Sequence, residues 1–172
     1  DATPAAQAGN LLDALARTAR SRRVKPSGAL EGIQSLFSSD TPAVQSAAVR
    51  CAGLWKLESL RPALQKLASG PGSSSDLRAT ALDSLSSLGG DASRTQLAKL
   101  ASQLPTPTAR LQALTSLVTV DPGGAAALLP TVLAKSPAQG NPAGVVAAFL
   151  ARKDGPGLLE KSLAGKKLAP DH

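Results

Sequence analysis

Histidine, cysteine, methionine and aromatic residues are scarce in this sequence, and each shortage closes off a class of chemistry. The one histidine is His172, the last residue, and the one cysteine is Cys51. A disulfide framework within the chain, a Cys-based metal site and a Cys–His nucleophile pair therefore lack the residues to build them. Methionine and tyrosine are absent, and Phe37, Trp55 and Phe149 are the whole aromatic set. Three aromatics leave little for stacking nucleic-acid bases. No apolar run approaches the roughly 18 residues that a membrane span needs. No signal-peptide core is present either. With no methionine at position 1, the sequence reads as a processed product or a piece of a longer chain.

What is abundant is alanine and leucine, together about a third of the 172 residues. Lys and Arg number 19 against 12 Asp and Glu, for a net charge of +7 and a pI near 10.1. Such a balance favours acidic partners. Valine and isoleucine are sparse and alternation never persists, so strands are not expected. The recurring spacing is i, i+3, i+4, i+7, as in Leu11, Leu12, Leu15 and Ala19, in Val44, Ala48, Cys51, Ala52 and Trp55, and in Leu77, Ala81, Leu82, Leu85 and Leu88. Breakers separate these blocks at Pro26-Ser27-Gly28, Ser69 to Gly72, Gly89-Gly90, Pro105 to Pro107, Pro122 to Gly124 and Gly140 to Pro142. Inside a helix a Gly costs about 1 kcal/mol and a Pro about 3, so these mark helix ends.

The blocks repeat. Ala48-Val49, Ala52 and Trp55 return as Ala81-Leu82, Leu85 and Leu88, then as Ala113-Leu114, Leu117 and Val120. Second helices keep the same phase through Leu30 and Ile33, Leu64 and Leu67, Leu97 and Leu100, and Leu129 and Val132. A fifth, looser copy starts near Pro142, with Ala147, Ala148 and Ala151, then Leu158, Leu159 and Leu163. Capping residues precede several first helices: Asp40-Thr41-Pro42, Ser75-Asp76, Thr106-Pro107-Thr108 and Asn141-Pro142. The expected fold is all-α, a solenoid of about five antiparallel helical hairpins, over 6–39, 40–73, 74–105, 106–140 and 141–170, within one repeat domain covering 1–172. Hairpins this short cannot bury their apolar faces alone and must stack.

Val44 to Leu54 and, more closely, Leu77-Arg78-Ala79-Thr80-Ala81-Leu82-Asp83-Ser84-Leu85-Ser86-Ser87-Leu88-Gly89 resemble the first helix of HEAT repeats. The period is shorter than the 40–47 residues of large eukaryotic arrays and looks more like bacterial HEAT-like arrays. The resemblance implies a right-handed superhelix and a non-enzymatic scaffold or protein-interaction role. The Ala/Leu/Ser-rich composition and the ending Leu163 to Asp171 also look like the HEAT segment of large secreted proteins of planctomycete type, in which dehydrogenase-like and c-type haem domains flank the repeats. That second resemblance implies a periplasmic or extracellular setting, adjacent domains of the same chain as partners, and haem in a neighbouring domain. The Cys-x-x-Cys-His haem motif is absent, so no cofactor is expected here.

The densest charge run is Arg17, Arg20, Arg22, Arg23 and Lys25, at the end of a helix where cations suit the helix dipole. Read functionally, it is a basic patch for an acidic protein face or, as an alternative, for nucleic acid. Arg78 and Arg110 occupy equivalent repeat positions and Arg50 does not, so a stacked array would carry a broken basic ladder. On the second helices, Arg61, Gln65, Arg94, Gln96 and Lys99 are polar positions beside core leucines, expected on a concave partner-binding surface. Trp55, Phe37 and Phe149 read as core, and Cys51 as a buried, inert thiol. Asp40, Asp76, Asp91 and Asp121 read as caps. No carboxylate pair is spaced for acid–base hydrolysis. A third reading that the HEAT resemblance allows is a HEAT-like lyase or hydroxylase, which would carry a bound cofactor or chromophore. Gly70 to Ser75 lacks the ending of a phosphate loop and reads as a flexible connection.

Overall fold

Helix termini explain where the elements lie. In the computed structural model, which describes residues 4–22, 24–135 and 140–164, the chain forms α1 (Pro4–Arg22), a 3-10 helix (Glu31–Ser38), α2 (Pro42–Leu54), a 3-10 turn (Glu58–Leu60), α3 (Arg61–Ser69), α4 (Ser75–Leu88), α5 (Gly90–Gln103), α6 (Pro107–Val120), α7 (Pro122–Ala134), α8 (Ala143–Leu150) and α9 (Gly155–Leu163). Among the described residues there is no strand. Pro42, Pro107 and Pro122 each sit in the first turn, where their missing N–H costs nothing. The Thr106 hydroxyl accepts from the Ala109 N–H at 3.3 Å, and the Asp121 carboxylate from the Gly124 N–H at 2.8 Å. Several expected caps differ. Asp91 lies within the first turn of α5, whose N-cap is Gly89 with no side-chain cap bond. Thr41 makes no side-chain cap bond. The cap of α4 is Ser74, whose hydroxyl accepts from the Leu77 N–H at 3.2 Å.

The chain divides into two compact units, residues 1–88 and 89–172. Gly89 and Gly90 begin the second unit with φ of +79° and +72°, a left-handed backbone that glycine adopts without strain. The helices of the expected 74–105 hairpin, α4 and α5, belong to different units.

In the first unit, α1 packs on α2 and α2 on α4, while the 3-10 helix lies on α2 and α3 on α4. Because α2 has neighbours on both sides, Ala47, Ala48, Val49, Cys51 and Ala52 are all fully buried, and Arg50 is the one polar residue of that stretch. Small residues permit the approach. A Cβ on Gly53 would lie 2.6 Å from Ser84 Cα and 2.9 Å from the Ser84 carbonyl oxygen. The buried Ser84 hydroxyl donates to the Val49 and Thr80 carbonyls at 2.9 and 2.8 Å, so no polar group is stranded there. The second element of the first hairpin is a 3-10 helix rather than an α-helix. Gly32 and the serines that punctuate Glu31–Ser38 are weak helix formers, and packing of Ile33 and Phe37 sets the segment instead.

At α1, the structure corrects the expected core face. Ala16 and Ala19 are buried, whereas Leu11 is 63% and Leu15 38% exposed. Among the described elements of this unit, α2 is the helix chiefly packed on α1, so its far side faces solvent.

In the second unit, α6 packs on α5, α7 and α8, and α7 also packs on α5 and α9, with α8 beside α9. First helices thus neighbour first helices and second neighbour second, the arrangement of stacked hairpins. In the last hairpin the buried residues of α8 are Val145 and Phe149, not the expected Ala147, Ala148 and Ala151. Stepping 32 residues on from the buried Ala113 and Leu117 lands on these two positions.

Candidate functional site

The fourth residue of three successive first helices performs the same local task. In α2 the Gln45 amide Nε2 donates to the Phe37 carbonyl at 2.6 Å. In α4 the Arg78 guanidinium donates to the Gly70 and Ser73 carbonyls at 3.0 and 3.2 Å. In α6 the Arg110 guanidinium donates to Leu104 and Pro105 at 2.9 and 3.2 Å, and also to the carbonyl of Lys135. Each side chain thereby fastens the segment that leads into its own helix. Arg78 and Arg110 are spent on carbonyls, so the broken basic ladder expected from their spacing is not a ligand-facing feature. The 70–74 connection, expected to be flexible, is held at two carbonyls. Gln45 escaped the sequence reading, although its spacing of 33 from Arg78 was available as a signal.

Two grooves open beside the second elements. The larger, about 650 Å³, lies in the first unit between the Glu31–Ser38 helix, α3 and the 70–74 connection. Phe37, Leu67 and Leu77 supply apolar wall, and Gln34, Lys66 and Ser73 supply polar rim. The smaller, about 450 Å³, lies in the second unit between α7 and α9, lined by Ala126, Ala127, Pro130, Thr131, Leu158 and Lys161. Pro130 sits inside α7 and brings no N–H to the Ala126 carbonyl. Each groove therefore combines an apolar floor with one lysine and several hydrogen-bonding groups.

The sequence-chosen second-helix residues fall on two elements in two different units. Arg61 and Gln65 are half-buried on α3, and Arg61 pairs with Glu58 at 2.7 Å. Arg94 and Lys99 are exposed and Gln96 half-buried on α5, with Arg94 paired to Asp91. The α3 residues that line the larger groove are Ala63, Lys66 and Leu67. Each lies one or two positions from Arg61 or Gln65, too close for spacing alone to discriminate.

Of the basic run, Arg17, Arg20 and Arg22 are exposed at the end of α1 and Lys25 is exposed beyond it. Arg23 lies outside the described residues. Arg50, which sequence phase set apart, comes from α2 to join Arg17 and Arg20 around a cleft of about 240 Å³, and its Nη1 meets Asp13 Oδ1 at 2.5 Å. Next to Arg50 in the chain is the fully buried Cys51, whose thiol donates to the Leu12 carbonyl at 3.5 Å. Burial pushes that thiol up from 9.0 to about 11, with the Arg50 charge pulling it down and Asp13 adding to the rise. Phe37, Trp55 and Phe149 are buried. Among the described residues, no group of three or more His, Cys, Asp or Glu could hold a metal ion, and no helix is long and apolar enough to cross a membrane.

Stacked antiparallel hairpins with a period of 32 to 34 residues define a helical-repeat protein. A family model described as HEAT repeats matches residues 30–118, just over half of the chain, and the chain belongs to the HEAT-repeat family. No curated protein and no solved structure matches it.

Proposed function

We propose that the chain is a non-enzymatic scaffold that binds protein partners through its second-element surfaces. The observation that carries this reading is the pair of grooves, each lying between consecutive second elements within one unit and each combining apolar floor with a polar rim. Grooves of this composition suit an extended or helical peptide segment, whose side chains fill the floor while its backbone meets the rim. A photo-crosslinking residue placed at Gln34 or Lys66 tests it. The reading expects capture of a defined protein from the source cells, and binding of that purified protein to be lost in Lys66→Glu. Equal capture by the same probe at Thr119, an exposed first-helix position on α6 that lines neither groove, would overturn it.

The finer reading is that this scaffold joins domains of a larger secreted redox protein, in the periplasm or outside the cell, with haem held in a neighbouring domain. It rests on the composition and on the Leu163 to Asp171 ending. The mass and visible absorption of the natural full-length protein decide it. A mass near 17.3 kDa with no haem band removes it and leaves the scaffold reading standing.

A further inference from the structure

We propose that the cleft between α1, α2 and α4 is a second binding surface, for the carboxylate side chains of an acidic peptide segment. Asp13, Arg17 and Arg20 follow one another on α1 at i, i+4 and i+7, which places them on one helix face. Arg50 reaches the same place from α2, held there by its ion pair with Asp13 at 2.5 Å. These four residues surround a cleft of about 240 Å³ whose wall is completed by Ala16 and Leu54. Arg20 and Arg50 also line an adjoining cleft of about 110 Å³, closed on the α4 side by Thr80, Asp83 and Ser87. The guanidiniums of Arg17 and Arg20 make no hydrogen bond or ion pair with any described residue. Both line the same cleft, so an anion seated there meets both charges. A carboxylate is the matching shape, because each guanidinium can offer it two parallel N–H donors.

The chemistry of the walls selects a peptide over a nucleic acid. Asp13 and Asp83 stand in the lining and would oppose a continuous run of phosphates, whereas discrete carboxylates can be spaced around them. The three aromatics are buried, so no stacking platform faces the cleft. Ala16 and Leu54 offer apolar wall to the methylenes of a glutamate. This surface lies on the first-helix side of the first unit and shares none of the lining of the grooves beside the second elements.

The full chain is titrated with three fluorescent probes: a short Glu-rich peptide, the same peptide with Gln for Glu, and a single-stranded oligonucleotide of equal charge. The Glu-rich peptide is expected to bind, with the other two weaker by about tenfold or more. The double variant Arg17→Ala/Arg20→Ala changes exposed residues and should fold, as circular dichroism will show. It should weaken the Glu-rich peptide by about tenfold, and Arg17→Lys/Arg20→Lys should recover part of that loss, since lysine keeps the charge and loses the fork. Lys135→Ala/Lys153→Ala removes the same charge at exposed positions outside the clefts and grooves described above and should leave binding unchanged. Equal weakening by both pairs of alanine variants, or an oligonucleotide that binds as well as the Glu-rich peptide, overturns the proposal. So does absence of binding by the Glu-rich peptide. None of these results bears on the grooves beside the second elements.

Discussion

Gly53 shows how little room one residue has in this fold. A methyl group there would meet Ser84 backbone on the neighbouring helix at 2.6 Å, and backbone cannot step aside as a flexible side chain can. Gly53→Ala should therefore cost about 1–3 kcal/mol, as overpacking does. Gly72→Ala, with nothing within 4 Å of the added carbon, is the control and should be near neutral. Urea unfolding followed by circular dichroism reads both. Cys51 is a second case. Its buried thiol titrates near 11 instead of 9.0, so the folded state favours the protonated form. The stability this adds is complete below pH 9 and is lost as pH rises through about 11. A thiol reagent should accordingly label the native chain slowly near neutral pH and label it quickly once denaturant opens the fold. Fast labelling of the native chain would mean that α1 leaves α2 often. The burial of this thiol was legible from its apolar helix position, while the nearness of Asp13 and Arg50 was not, because those two residues are 37 positions apart and meet only through the packing of α1 on α2.

Helix ends decide how much each element contributes on its own. Thr106 and Asp121 make side-chain cap bonds and Thr41 makes none, although all three precede a proline. Thr106→Ala and Asp121→Ala should each cost about 1 kcal/mol, and Thr41→Ala much less. Thermal unfolding of the three variants ranks them, and an equal ranking would show that the capping bonds carry no net weight. The fastening of Gly70 and Ser73 by Arg78 operates at the same scale. Arg78→Ala should cost about 1.5–3 kcal/mol, the range for hydrogen bonds from a charged donor, and should raise hydrogen exchange in the 70–74 connection. Most of the elements were legible as periodic apolar blocks between Gly and Pro breakers, because each helix is bounded by residues that cannot continue it. The 3-10 form of Glu31–Ser38 was not legible, since the positions of Ile33 and Phe37 suit either helix type and the choice is made by packing on α2. The last hairpin was misphased for a related reason. Alanines fill α8 so densely that an apolar stripe can be drawn through several registers, and the bulk of Val145 and Phe149 decides which one is buried. The grooves were beyond sequence reasoning altogether, for a groove is defined by the gap between elements and not by the composition of either.

Across the whole molecule, stability in a repeat protein is a sum of local terms: each hairpin has its own stability and its own interface with the next. Each unit here holds its own buried set, Val49, Leu64, Leu82 and Leu85 in the first and Leu97, Leu114, Leu117 and Leu129 in the second. The boundary falls at two glycines in left-handed conformation, where helical hydrogen bonding is interrupted. A fault placed in one unit should then be felt chiefly in that unit. Gly53→Ala makes this testable by native-state hydrogen exchange. Amides of α2 and α4 should lose protection by the full cost of the substitution, while amides of α6 and α7 keep theirs. Equal loss in both units would mean that the chain opens as one cooperative block and that the glycine pair does not separate two folding units. The same measurement grades the second unit internally. The two last helices are short, and Gly155 is the one residue of α9 that is fully sequestered. Helices α8 and α9 should exchange ahead of α6, whose Leu111, Ala113, Leu114, Leu117 and Val118 are all buried. An α9 as protected as α6 would contradict this, because nothing in its own packing could account for it.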